Sequence, residues 1–206
     1  HDTVIQFLKN CFITRCTFTK DDELSCAKFV EVMHMMGTPT FSTLQYYDKV
    51  LKDLPQMVFK CTQHEAGRLG RFLRETLKSL ERWCSSEELY TKECFSLPGF
   101  TLKYTSTEPT RASYSEFRNV SFKWHYRMTR GFVQCLASKD FMEIRNTLVV
   151  LTKIAGYYPV IKKFYQHVER SVMKIKEEDE RGDLKLLATR YLAQLQTYQK
   201  KQITQE

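Results

Sequence analysis

The chain has 206 residues, 42% hydrophobic and 27% charged, and a formal net charge of +8. That balance argues against disorder and allows one sizeable core or two small domains. With only 7 glycines and 5 prolines, it suits long helices better than a turn-rich all-β fold.

No apolar run reaches the ~18–20 residues of a membrane span, and no stretch reads as a secretory signal. The chain opens at His1 inside an apparent helix, without an initiator methionine, and reads as a piece of a longer polypeptide. Cysteines at 11, 16, 26, 61, 84, 94 and 135 include no CxxC pair. An odd, unpatterned set argues for reduced thiols in a cytosolic or nuclear compartment. Charge is unevenly placed. Positions 111–176 hold thirteen Lys/Arg against four Asp/Glu, while the first hundred residues are balanced. Such a surface attracts RNA, DNA or acidic protein segments, and charge alone does not choose among them.

In chain order, Val4, Ile5, Leu8, Cys11 and Phe12 recur at helical spacing. A threonine-rich stretch at 14–19 leads into a helix over 21–36, with Cys26, Phe29, Val30 and Met33 expected inside. Gly37-Thr38-Pro39 stops it. Phe41, Leu44, Tyr47 and Leu51 make the next stripe, and Pro55 is expected to start a new helix with Asp53 as its cap. Thr62-Gln63-His64-Glu65 matches a capping box ahead of a stripe at Ala66, Leu69, Leu73, Leu77 and Leu80. The opposite face alternates in sign through Arg71, Glu75, Lys78 and Arg82, as a solvated surface does. Ser85 and Glu88 repeat the capping pattern before a short helix ending near Cys94. The stretch 97–110, with Pro98-Gly99 and Pro109, reads as the longest loop. It divides an N-terminal helical sub-bundle (1–96) from a C-terminal basic one (113–206), with the loop spanning 97–112, all within one continuous solenoid segment.

Three helices follow between 114 and 175. The first carries Phe117, Val120, Trp124, Met128, Gly131 and Cys135 on one face and Lys123, Arg127 and Arg130 on another. Asp140, with Glu143 three residues on, fits the N-cap of the second. Its stripe is Phe141, Ile144, Leu148, Leu151 and Ala155, and it ends where Gly156 can take a left-handed cap before Pro159. The third has Ile161, Phe164, Val168, Val172 and Ile175, flanked by Lys163, His167, Arg170 and Lys174. An acidic run at 177–180 precedes a last helix with Leu184, Leu187, Tyr191, Leu195 and Tyr198 in register. No convincing strand run is present. The sum is an all-α chain of about nine or ten helices in antiparallel pairs, either an irregular bundle or, as preferred, an α-solenoid of HEAT-like kind without a repeating sequence period.

No glycine-rich phosphate loop, HExxH, GxSxG or kinase set is present, so no catalytic, cofactor-binding or metal-ligating residues are assigned. Cys61 and His64 have the spacing of half a zinc site but lack a second pair, and a buried thiol is the preferred reading. Trp124-His125-Tyr126 beside basic residues suggests base stacking, yet the spacing puts Trp124 on the apolar stripe and Tyr126 off it. His34, His125 and His167 have no recognisable partners. The basic positions Lys123, Arg127, Arg130, Lys162, Lys163, Arg170 and Lys174 are either a solvated surface or a contact face.

Several segments resemble one family. HDTVIQFLKNCF at 1–12, TPTFSTL at 38–44, GRFL at 70–73, YTKEC at 90–94 with PGF at 98–100, and EFRNV at 116–120 are similar to the C-terminal helical region of THO complex subunit 2. KWHYRMT at 123–129, IRNTLVVLTKIAGYYPV at 144–160, ERSVMKI at 169–175 and DLKLLATRYLAQL at 183–195 continue the match in order. The stretch 101–113 and the glycine of IAGYYP depart from the pattern of animal members.

The resemblance implies a non-catalytic, HEAT-like scaffold in a nuclear complex. It implies other THO subunits and a DEAD-box RNA helicase of the mRNA export pathway as partners, in messenger ribonucleoprotein packaging and export coupled to transcription. Neither a membrane nor a small-molecule substrate is expected. The seven basic residues are then a candidate docking face for the helicase or, in the alternative reading, for RNA. A third reading, an enzyme with a cysteine nucleophile, has little support.

Overall fold

The computed structural model describes residues 6–103 and 110–202. A π-helical turn at Leu8–Phe12 runs into α1 (Ile13–Arg15), followed by α2 (Lys20–Met35), α3 (Thr43–Lys60), α4 (Gln63–Ser85) and the short α5 (Glu87–Tyr90). After a π turn at Thr91–Phe95 and a 3-10 turn at Pro98–Phe100, β1 (Thr101–Lys103) pairs antiparallel with β2 (Thr110–Arg111). Then come α6 (Tyr114–Leu136), α7 (Phe141–Ile154), α8 (Lys162–Glu178) and α9 (Gly182–Gln202). The architecture is all-α and solenoid-like, with this one small ribbon among the described residues. The expected residues Val4 and Ile5 lie outside the described residues.

Local chemistry sets most of the starts. Thr62 and Glu65 close a reciprocal capping box on α4, and Ser113 with Glu116 does the same on α6. Each box satisfies amides that the first turn leaves without helical partners. Asp140 caps α7 by accepting from the Glu143 amide, while its own amide donates to Ser138 Oγ rather than to Glu143. The cap before α5 is Ser86 instead of Ser85, because α4 runs one residue further. Gly37 takes the left-handed conformation (φ 59°) after α2, where a side chain would be strained. Gly156 does not; a cis Tyr158–Pro159 bond follows it.

Pro55 does not start a helix. α3 continues through it from a cap at Ser42. Its ring instead rests on Gly131 of α6, a distant contact that offsets the lost helical hydrogen bond. In α2, Cys26 and Val30 are buried as expected, but Phe29 is exposed. Leu24, Val32 and Met35 are also exposed on this helix.

The core runs from Phe12 to Leu195. α7 packs chiefly on α4 and also meets α3, α6 and α9, while α2 packs on α4, α3 on α6, and α8 on both α6 and α9. Leu148, Val150, Leu151 and Ile154 of α7 are fully buried. Gly70 lets α4 lie against the α7 backbone: a β-carbon there would sit 2.8 Å from Lys153 Cβ and 3.3 Å from Val150 Cα. Asn146 of α7 donates to the carbonyls of Val58 and Cys61, closing the end of α3. Between α2 and α4, the carboxylate of Glu23 is fully buried, with Arg71 Nε 2.9 Å from its Oε1. The approach lacks hydrogen-bond alignment, so the attraction is Coulombic. Burial raises the Glu23 pKa against the pull of Arg71 and Arg68.

Candidate functional site

The basic residues predicted from sequence fall on two helices that touch. α6 and α8 pack side by side. Near the start of α8, Phe164 meets Phe122 and Tyr126 of α6, with ring centroids 5.3 and 6.2 Å apart. Near its end, Ser171, Lys174 and Ile175 line a groove with Leu136 and Ala137, which close α6. The helices therefore run in the same direction along one seam. Lys163, His167, Arg170 and Lys174 recur every three or four residues, so they form one stripe along α8. Because Lys174 lines the groove against α6, that stripe borders the seam.

On α6 the order outward from the seam follows from 100° per residue. Phe122 and Tyr126 come first, Arg130 and Lys123 next, and Arg127 last. Lys123, Arg130, Lys163 and Arg170 are exposed and make no ion pair among the described residues. These four, two on either side of the seam, make up the candidate face.

The other three candidates are placed differently. Arg127 reaches across to α3 and donates to Asp48 Oδ1 at 2.5 Å, which also accepts from Trp124 Nε1 at 3.1 Å. Its charge is engaged within the fold. Lys174 sits 3.7 Å from Glu178, with both side chains largely exposed, so the pair is weak and solvent-screened. Lys162 lies about 100° from Lys163 around the helix, away from the stripe.

Trp124 is 1% exposed and stacks on Tyr47 at 5.5 Å; it belongs to the core. Phe122 and Tyr126 are 51% and 53% exposed. Sequence reasoning left Phe122 out, although its position off the apolar stripe of α6 was the available signal. His34 has partners after all: its Nδ1 is 3.0 Å from Thr43 Oγ1 and its Nε2 3.0 Å from the Glu93 carbonyl. His125 is buried, its ring parallel to that of Tyr158. Burial, with repulsion from Arg118, pulls its pKa down to about 4.

Among the described residues no three His, Cys, Asp or Glu side chains gather as a metal site. All seven cysteines are thiols. Desolvation pushes Cys61 and Cys135 up to about 12, which keeps them protonated near neutral pH and poorly nucleophilic. A groove of 420 Å³ between α2 and α4 is lined by Lys28, Glu31, Glu75, Lys78, Arg82 and Trp83, among others. Its charges pair with near neighbours, Lys28 with Glu31 and Lys78 with Glu75. No helix among the described residues is long and apolar enough to cross a membrane.

Residues 1–195 match the family described as transcription factor/nuclear export subunit protein 2. The chain is 46% identical over 186 residues to THO complex subunit 2 of Arabidopsis thaliana, covering 90% of this chain and 10% of that protein. It is 41% identical over 205 residues to THO complex subunit 2 of Homo sapiens, covering 96% and 13%. The Saccharomyces cerevisiae protein of the same name is 24% identical over 201 residues, covering 94% and 10%. The chain thus spans about a tenth of the length of the curated relatives it matches. The match over residues 1–195 and these identities place the chain in the THO complex subunit 2 family.

Proposed function

We propose that this segment is a non-catalytic helical scaffold of the nuclear THO complex, where transcription is coupled to messenger RNA packaging and export. Its α7-centred core fixes the outer helices on which other THO subunits assemble, and the α6–α8 face docks a DEAD-box RNA helicase. The observation that carries this reading is the juxtaposition of Lys123 and Arg130 with Lys163 and Arg170 across one seam, without internal carboxylate partners among the described residues. Uncompensated charge on neighbouring rigid helices favours an acidic macromolecular surface and speeds its encounter.

The second reading is direct RNA binding by the same face. The two exposed rings beside the cations favour it, since such rings can stack on bases. One design separates the two: pull-down of the chain against the helicase and against single-stranded RNA across a salt series. Helicase docking gives a defined stoichiometry and is lost in Lys163→Glu/Arg170→Glu. Phosphate-dominated binding weakens linearly in log salt. Retention of the helicase by the charge-reversed chain defeats the docking assignment.

A further inference from the structure

We propose that the α6–α8 seam recognises an acidic amphipathic helix of a protein partner, whose apolar side chains seat on Phe122 and Tyr126. Its flanking carboxylates meet Lys123 and Arg130 on one side and Lys163 and Arg170 on the other. The inference rests on the docking reading above and specifies the chemistry of what docks.

Phe122 and Tyr126 are about half exposed and lie one turn apart on the same edge of α6. Both lean on the buried ring of Phe164, at interplanar angles of 41° and 50°. The three rings make one continuous apolar ridge. Isolated exposed apolar residues are ordinary, but a ridge rimmed by polar groups on two helices marks an interaction surface. The hydroxyl of Tyr126 has no hydrogen-bond partner among the described residues, so it is free to bind at the edge of the ridge.

The arrangement fits a helix better than a nucleic acid. A single strand needs a charged track along its backbone, with rings presented as separate platforms for successive bases. Here both rings pack against the same buried ring of Phe164, while the cations sit as rims along two parallel helices. A third helix can lie across this ridge, with apolar side chains spaced by three or four residues straddling the two rings. Positive rims select carboxylates along that helix and reject lysines.

The test uses the 206-residue chain and three labelled probes in fluorescence anisotropy. The first is an 18-residue synthetic helix with leucines on one stripe and glutamates beside them. The second has lysines for the glutamates, and the third is a 15-nucleotide oligouridylate. The glutamate peptide is expected to bind at least ~10-fold more tightly than the lysine peptide. Phe122→Ser/Tyr126→Ser should weaken it by a further ~10-fold or more, with the helical circular dichroism of the chain unchanged. Lys163→Glu/Arg170→Glu should weaken it similarly. No binding of the glutamate peptide, or binding indifferent to the two ring substitutions, overturns the proposal. So does tighter binding of the oligouridylate that disappears in Phe122→Ser/Tyr126→Ser, because the rings would then be base platforms. Helicase pull-down separates the two levels. Loss on charge reversal but not on ring substitution keeps the docking face and removes the amphipathic-helix reading, whereas indifference to charge reversal removes both.

Discussion

Pro55, in the middle of α3, lies so close to the backbone of Gly131 in α6 that a β-carbon at 131 would come 2.5 Å from the proline Cγ. The two irregular residues solve one packing problem, and neither is explained alone. Gly131→Ala should gain a little helix propensity but lose more to overpacking against a rigid ring, for a net loss of about 1–2 kcal/mol. Pro55→Ala/Gly131→Ala should recover most of it. Urea denaturation of the two variants checks this, and equal losses in both would show that the contact is not what matters.

Two glycines one turn apart in α4 should respond in opposite directions. Gly67 has nothing within 4 Å of where its β-carbon would lie, whereas Gly70 faces Lys153 and Val150 of α7. Gly67→Ala is expected to raise stability by about 0.5–1 kcal/mol, from the lower cost of ordering the chain. Gly70→Ala is expected to lower it by about 1–3 kcal/mol, through overpacking. Thermal melts of the two single variants measure the contrast.

His125 makes the fold sensitive to acid. Its pKa is about 4 when folded, below the ordinary value of about 6.5 in an unfolded chain. Between those values the unfolded state binds the extra proton, so stability falls as pH drops from about 6.5 to 4, by roughly 3 kcal/mol from this group. Burial shifts His34 in the same direction. His125 Nδ1 has no partner, so His125→Phe loses no hydrogen bond at that nitrogen. This variant should flatten the pH dependence while retaining stability at pH 7. Denaturation midpoints at pH 7, 6 and 5 test the sign and the slope.

Of the basic residues on α6, Arg127 should matter least for docking. Its guanidinium is held by Asp48, so Arg127→Ala should weaken partner binding less than Lys163→Ala does. Arg127→Glu should lower stability instead, because it sets a second carboxylate beside Asp48. Binding and melting measurements on the same preparations separate the two effects.

What could be read from the sequence was local. The capping box of Thr62 and Glu65 spans four residues, and the stripes at Leu69, Leu73 and Leu77 or at Leu148 and Leu151 need only a helical period. What escaped depended on residues far apart in the chain. Pro55 reads as a helix start until Gly131 is beside it, and Arg127 reads as available charge until Asp48 meets it from 79 residues away. His34 likewise finds Thr43 nearby but Glu93 only through the fold. Phe29 has the spacing of a core residue and is exposed, since periodicity marks a face without saying whether another element covers it. For the candidate face, sequence gave the charges, whereas only the neighbouring helices of the fold show that two stripes border one seam.

The contacts of α7 with α3, α4, α6 and α9 have a mechanical consequence. A chain of repeats that touch only their immediate neighbours bends like a spring, each joint yielding separately. Here one rod is gripped from several sides, so a load applied at α2 is passed through α4 to α7 and on to α9 with little give. Partners attached at those distant surfaces would be held at a set distance and angle, as parts bolted to one bracket.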